Sequence, residues 1–442
     1  MGDAHGVLSV LNLHSAEILR TVAVALFLGT YAMIILEKFF HRVPAALFGG
    51  ALAVFLGVVT PEEAWRSIDG NTIFLLLGMM IIVSVLIESG FFSLLAYRAL
   101  KITGSNPTKI LIVFASLTAF ISAFLDNVTT VLFMVPILME ILSRLRINPI
   151  PFIIAVVLAS NIGGTATLIG DPPNIIIGSI GHLTFNQFIV NLTPIVLVSY
   201  GVGLLTFLLY MKWKGFLKPP REFKNGEETL TVEYKPIYNI PLMRKGVVIF
   251  LITLLLFFTH GILHLEPGVI ALTTASLLML WTKLNPEKIL ERVEWGTLLF
   301  FVGLFIVIGA LAYTGVFNEL ARFITKLVKS ESDGIWIVGG FSALVSGVVD
   351  NIPFTLAMSY ILKDLAHTAN YNTEPLWWAL SLGACLGGNL TLIGASANVV
   401  AAGIVEKEGY KITFWDFLKM GTPVAFVTVI TALFLLWLRY TV

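Results

Sequence analysis

The sequence predicts an all-α polytopic membrane protein built from two inverted repeats. Three observations lead there. The first is composition: of 442 residues, 57% are hydrophobic and 12% charged, with a mean hydropathy of +0.90, whereas a soluble domain is nearer half apolar and a quarter charged. The second is length: several apolar runs reach the ~20 residues a spanning helix needs. The third is recurrence. Asp126-Asn127 and Asp350-Asn351 interrupt apolar sequence 224 residues apart, and Thr167-Leu168-Ile169-Gly170 is matched at that spacing by Thr391-Leu392-Ile393-Gly394. Pro61 and Pro286, Gly78 and Gly303, and Gly90 and Gly315 pair at a spacing of 225.

The elements follow in order. A short polar lead precedes a first span at 17–37, and a loop with Glu37, Lys38, His41 and Arg42 follows. Pro44 opens a second span over 44–59, as proline suits a helix start. The polar stretch Pro61 to Asn71 leads to a third span at 72–88. Residues 91–103 mix apolar side chains with Arg98 and Lys101, the pattern of a helix lying at the interface. Residues 107–145 are two apolar arms around Asp126-Asn127, read as a hairpin entering and leaving on one side; two ordinary spans are the alternative. Residues 150–179 are an apolar run broken at Asn161 to Thr165 and at Gly170 to Asn174. Pro172 and Pro173 disfavour a helix interior there. Irregular backbone at membrane depth persists only inside protein or beside a cavity, so this is a broken helix. A span at 189–211 ends the repeat.

Residues 212–246 form a basic linker. The second repeat then has spans at 247–264, 267–282 and 297–313, an amphipathic stretch at 316–329, and a hairpin at 334–364. A broken helix at 376–403 and a last span at 416–439 complete it. Five crossings per repeat force the second repeat to be inverted. With the linker in the cytoplasm and both termini outside, 21 of the 28 Lys and Arg residues fall inside and 7 outside, the bias expected of an inserted chain. The expected location is the cell membrane.

Other classes lose ground on composition. A net charge of +1 leaves no nucleic-acid footprint. The single cysteine, Cys385, excludes an intramolecular disulfide framework. The N-terminal residues lack the pattern of a removable signal peptide, so the first run is expected to be retained. No GxxxxGK[ST], HExxH or GxSxG motif occurs, so neither ATP use nor hydrolysis has a motif to rest on. No resident cofactor is expected beyond Na⁺ or H⁺ as a coupling ion. His260 and His264 read as interfacial side chains, as does Glu88.

The residues able to carry chemistry sit at the interruptions. A carboxylate at the bilayer centre costs about 2.5–3.5 kcal/mol on insertion scales, so Asp126 and Asp350 are functional candidates; each could also cap the second arm of its own hairpin. Asn127 and Asn351 offer both an acceptor and a donor, so each could ligate a cation such as Na⁺ together with the two aspartates, hold an anion through its nitrogen, or satisfy the backbone of a buried turn. Asn161, Gly163, Gly164 and Thr165 mark the first helix break, and Gly387, Gly388, Asn389 and Thr391 the second. Freed helix ends at such breaks offer amides to anions and carbonyls to cations; tight packing by small residues is the plainer reading. Asp171 is matched by Ala395, an asymmetry that suggests ion coupling served by one repeat, or a turn before Pro172. Thr129, Asn174, Ser346, Thr355 and Asn398 are further hydroxyl and amide candidates.

The stretches SAFLDNVTTVLFMVPI (122–137), NIGGTATLIGDPPNIII (161–177), VDNIPFTLAM (349–358) and GACLGGNLTLIGASANVVAAG (383–403) resemble the ion transporter superfamily. The likeness is to its branch of arsenite-pump permeases and sodium–proton antiporters, with the P-protein group among them. The resemblance implies a homodimeric elevator-type secondary transporter. Scaffold parts at 17–103 and 247–330 would hold the dimer while transport parts at 104–211 and 331–441 slide. Sodium-coupled di- and tricarboxylate carriers of the superfamily have Ser-Asn-Thr where this chain has Asp126-Asn127-Val128 and Asp350-Asn351-Ile352, which speaks against carboxylate uptake. Arsenite pumps have Asn-Asp in the first hairpin, the reverse of Asp126-Asn127. The antiporter branch shares the Asp-Asn order, the Asn at 161 and the Asp at 171. The leading expectation is Na⁺/H⁺ exchange. The alternatives are proton-coupled efflux of arsenite or another small oxyanion, and an anion conductance.

Overall fold

The computed structural model describes residues 15–35, 41–217 and 237–441. The N-terminal lead, the loop with Glu37 and Lys38, and linker residues 218–236 lie outside the described residues. The described residues form helices throughout. The first repeat comprises α1 (Ala16–Ile35), α2 (Arg42–Leu56), α3 (Pro61–Ser67), α4 (Gly70–Glu88), α5 (Phe91–Thr103), α6 (Pro107–Ser122), α7 (Asn127–Arg144), α8 (Ile150–Gly164), α9 (Pro172–Ile180), α10 (Phe185–Asn191) and α11 (Thr193–Lys214). The second comprises α12 (Ile240–Leu263), α13 (Pro267–Thr282), α14 (Pro286–Leu290), α15 (Trp295–Tyr313), α16 (Val316–Leu327), α17 (Glu331–Ser346), α18 (Asn351–Thr368), α19 (Glu374–Gly387), α20 (Ser396–Lys407) and α21 (Phe414–Thr441). The repeat keeps its register closely: Ala16 and Ile240, Pro107 and Glu331, Asn127 and Asn351, Ile150 and Glu374, and Pro172 and Ser396 open helices 224 residues apart, and Arg42 and Pro267, Pro61 and Pro286, Gly70 and Trp295, and Phe91 and Val316 open helices 225 apart.

Local chemistry sets these boundaries. Thr60 and Glu63 form a capping box at the start of α3, a reciprocal arrangement that satisfies two orphan amides. Asn106 caps α6 through the Lys109 amide, with Pro107 in the first turn. Gly57 ends α2 in the left-handed region at φ 80°, where a side chain would be strained. α2 therefore has 15 residues and is shorter than the span expected at 44–59. Seven described helices are long and apolar enough to cross a membrane, and α2, α6, α8 and α13 are shorter apolar helices. The polar stretch after Pro61 holds the helix α3, and α10 was not foreseen at all.

The repeats interlock. α4 packs on α13 and α15 on α2, so each long helix of one repeat lies against its partner repeat. A Cβ on Gly78 would stand 2.4 Å from the Ala271 carbonyl carbon, and one on Gly303 2.4 Å from that of Ala46. The same close crossing is thus built twice. The hairpin α6–α7 packs on α8, and α17–α18 on α19. Two further contacts cross between repeats, α20 against α7 and α9 against α18. The broken helices α8/α9 and α19/α20 occupy the middle of this set, and nearly every residue of α8 and α19 is buried.

Candidate functional site

Each broken helix leaves carbonyls without an intrahelical partner. Asn174 supplies the missing donor at the first break, its Nδ2 donating to the Thr165 oxygen at 3.1 Å and the Thr167 oxygen at 2.8 Å. Asn398 does the same at the second, donating to the oxygens of Gly388 at 2.8 Å and Thr391 at 2.9 Å. The Thr167 hydroxyl donates to the Ala123 oxygen, and the Thr391 hydroxyl to that of Gly347 at 2.6 Å. Each break is thereby clipped to its own hairpin turn. Gly163 and Gly387 lie against neighbouring backbone: a Cβ would meet the Ala119 oxygen at 2.1 Å and the Ala343 oxygen at 2.4 Å. Gly164 and Gly388 stack on Gly170 and Gly394 in the same way.

The two breaks meet at Asn161. Its Oδ1 accepts from Asn127 Nδ2 at 3.1 Å, and its Nδ2 donates to Asn389 Oδ1 at 2.8 Å and Asn398 Oδ1 at 2.9 Å. Asn389 Nδ2 in turn donates to the Leu158 oxygen at 3.3 Å. One buried amide therefore joins the first hairpin to the second helix break. Residue 385, which stands where Asn161 stands in the other repeat, is Cys385; its thiol lies 3.6 Å from Asn174 Oδ1, which also accepts from Ser381 at 2.6 Å. The contact is the same in both repeats, with a thiol replacing an amide.

Asp171 is 1% exposed. Its Oδ1 accepts from Asn127 Nδ2 at 3.2 Å, while its Oδ2 finds no hydrogen-bond partner among the described residues. Asn351 and Cys385 flank it, and the carboxylates of Asp126 and Asp350 both act on it electrostatically. Asn351 Nδ2 and Thr355 Oγ1 are buried without partners among the described residues.

The hairpin tips carry the other two acids. Asp126 caps α7, accepting from the Thr129 amide at 2.9 Å and the Thr129 hydroxyl at 3.0 Å. Asp350 caps α18, accepting from the Ile352 amide at 3.0 Å. The capping reading of both residues therefore holds. Asp350 also accepts from the Ser396 hydroxyl at 2.7 Å and pairs with Arg42 at 3.4 Å. Arg42 donates to Ser396 as well, and its guanidinium lies 5.5 Å from the centre of the Phe300 ring.

Asp126, Asn127, Thr129, Asn161, Asp171, Asn174, Asp350, Asn351, Asn389 and Asn398 are thus linked by direct bonds or flank one another around the breaks. Gly163, Gly164, Gly387 and Gly388 surround them as close-packed backbone. Thr165 donates to the Asn161 oxygen at 2.8 Å and Ser346 to the Ala384 oxygen at 2.5 Å, so both hydroxyls are spent on backbone. Sequence reasoning missed Arg42, Glu294, Ser381, Cys385 and Ser396. Only the fixed spacing carried a signal for two of them, Ser396 matching Pro172 and Cys385 matching Asn161. His260, in the last turn of α12, is covered by protein; its Nε2 accepts from the Phe185 amide at 3.0 Å, because α10 folds back onto the end of α12. Glu88 is ion-paired to Arg292 at 2.5 Å.

Residues 31–383 match the family model CitMHS, described as citrate transporter. The chain is 40% identical over 429 residues to an uncharacterized transporter of Mycobacterium tuberculosis, covering 95% of this chain and 99% of that one. It is 34% identical over 500 residues to the human P protein, covering 94% of this chain and 59% of the P protein. Among solved structures, it superposes on the Neisseria gonorrhoeae MtrF, of a class of antimetabolite efflux pumps, with a TM-score of 0.59 at 13% identity, over 95% of this chain and 94% of that one. The last is a likeness of fold alone. Paired helix breaks, two hairpins and full-length relatives agree, and the chain belongs to the CitMHS family of transporters, within the ion transporter superfamily.

Proposed function

We propose that this transporter is an ion-coupled secondary carrier that exchanges Na⁺ against protons. The observation that carries the reading is Asp171, a fully buried carboxylate with one oxygen bonded to the Asn127 amide and the other without a partner among the described residues, and with no cation beside it there. A buried carboxylate without a cation is costly. Asp171 therefore holds either a proton or a bound cation, and competition between the two for one site is exchange. Asp126 and Asp350 are further proton-exchangeable acids at the tips, and Asn127, Asn161 and Asn351 orient them. On this reading scaffold parts 17–103 and 247–330 hold the dimer while transport parts 104–211 and 331–441 slide as an elevator. The assembly is a homodimer in the cell membrane with the linker cytoplasmic.

A second reading has one observation in its favour. Arg42 lines a cavity of about 390 Å³ together with Ser396 and His41, a setting for a small oxyanion or carboxylate. The family's description as citrate transporter and the efflux class of MtrF fit that reading. Three acids around the breaks against one arginine favour the cation.

The test is flux in liposomes carrying an internal pH dye. An imposed Na⁺ gradient should drive protons, and Asp171→Asn should abolish the response. Movement of citrate or arsenite with no Na⁺ response would replace exchange by the second reading.

A further inference from the structure

One acid near the hairpin tip has no place in the expected site. Glu294 stands between α14 and α15, one residue before the span Trp295–Tyr313. Its Oε1 lies 3.5 Å from the Thr129 hydroxyl, and that hydroxyl lies 3.0 Å from Asp126 Oδ2. One hydroxyl proton is thus shared between two carboxylates, one from the first hairpin and one from the long helix of the second repeat. Glu294 Oε2 accepts from Thr297 at 3.1 Å, which fixes the side chain toward the tip.

The two acids face different spaces. Glu294 lines the cavity of about 390 Å³, with His41, Arg42, Thr297 and Ser396. Asp126 and Thr129 instead line a small void against Leu75, Met79 and Ile175. A proton or cation moving from the cavity to Asp126 meets Glu294 and Thr129 on the way.

We propose that Glu294 relays the coupling proton between this cavity and Asp126: the Glu294 carboxyl proton passes to the Thr129 oxygen as the Thr129 hydroxyl proton passes to Asp126. The proposal rests on the exchange reading above and adds to it a residue that belongs to the part expected to stay still. In one position of an elevator Glu294 faces Asp126 and can hand over a proton; when α7 moves away the hand-over stops. The relay is therefore open on one side of the cycle only, which is what prevents protons from leaking through without exchange.

The surroundings suit the task. Burial first, and the negative charge of Asp126 second, push the Glu294 carboxyl up to about 7, against the opposing pull of the Thr297 bond and of Arg42. Those two charges and His41, which lines the same cavity, are the titratable and charged groups facing it; Arg292 on the preceding turn is held by Glu88. A relay works best when its acidity lies near the working pH.

The experiment compares wild type, Glu294→Gln and Glu294→Asp in liposomes between about pH 6 and 8, the range in which such a group titrates. Gln keeps the shape and can still bond both threonines, its oxygen accepting from one and its amide donating to the other, so folding should survive, which a size-exclusion profile checks. Expected are Na⁺-driven proton flux at least about tenfold slower in Glu294→Gln, loss of the pH inflection, unchanged half-saturation for Na⁺, and partial rescue by Glu294→Asp. Infrared difference spectra of the same proteins across that pH range should show a carboxyl protonation band in wild type that is absent in Glu294→Gln. A Gln variant with the wild-type rate, inflection and band overturns the relay while leaving exchange intact. Wild type with no Na⁺-driven flux overturns the exchange reading and the relay with it.

Discussion

Arg42 Nη1 lies 3.4 Å from Asp350 Oδ2, a contact spanning 308 residues of chain. It ties the first turn of α2 to the tip of the second hairpin. Both side chains are largely buried, at 20% and 14% exposure. The same guanidinium also holds Ser396, so a single cation meets the hairpin tip and the second helix break together. Any movement of the hairpins against α2 must part this pair.

Replacing Arg42 with Gln should leave Asp350 buried and uncompensated. Removing one partner of a buried pair costs about 3–5 kcal/mol, and less where water reaches the site, as it does here. Asp350→Asn in the same chain should restore part of the loss. Thermal unfolding of the two single variants and the double variant gives the coupling. Strict additivity would mean that the pair contributes nothing.

Asp171→Asn should separate function from fold. Asn occupies the same volume and keeps an oxygen for Asn127, so thermal stability should change by no more than about 1 kcal/mol, the ordinary effect of a substitution. Na⁺-driven proton flux should be lost. Flux at the wild-type level would remove Asp171 from the mechanism.

Asn161→Ala should be the most destabilising change in the network. It strips hydrogen bonds from Asn127, Asn389 and Asn398 at once. Each buried polar group left unsatisfied costs about 1–3 kcal/mol, so a loss of several kcal/mol in detergent-solubilised protein is expected. Asn398→Ala should also destabilise, through the Gly388 and Thr391 oxygens that it would leave bare. A wild-type unfolding temperature for Asn161→Ala would mean that the amides are bridged some other way.

Gly163→Ala and Gly387→Ala should force α8 from α6 and α19 from α17, because a Cβ meets backbone oxygen at 2.1 and 2.4 Å. Overpacking of this kind costs about 1–3 kcal/mol or more. Gly201→Ala and Gly340→Ala, which meet nothing within 4 Å, should be neutral or stabilising, since Ala favours a helix by up to about 1 kcal/mol over Gly. Expression and unfolding temperature of the four variants compare the two classes directly.

Much of the architecture is legible along the chain. The hairpin arms, the two breaks and the amphipathic stretches 91–103 and 316–329 follow from apolar run length and from Pro and Gly placement. Those are local properties, and a helix answers to them within a turn or two. The spacing of 224 to 225 residues revealed the repeats because the same local signals occur twice. α2 came out shorter than expected because Gly57 ends it by a left-handed turn that composition does not reveal. α10 escaped notice because its seven residues are too few for a periodic pattern.

The site divides in the same way. The sequence by itself determined which polar residues lie at the interruptions, since an acid or amide inside an apolar run is visible without a structure. Only the tertiary structure decided which of them meet. Asn161 joins Asn389 and Asn398 over 228 and 237 residues of chain, and Arg42 reaches Asp350 over more. Arg42 and Glu294 look like ordinary helix-end charges in the sequence. They become part of the candidate site because the interlocked repeats bring their helix ends to the hairpin tips, and contacts at that separation are set by packing, not by local pattern.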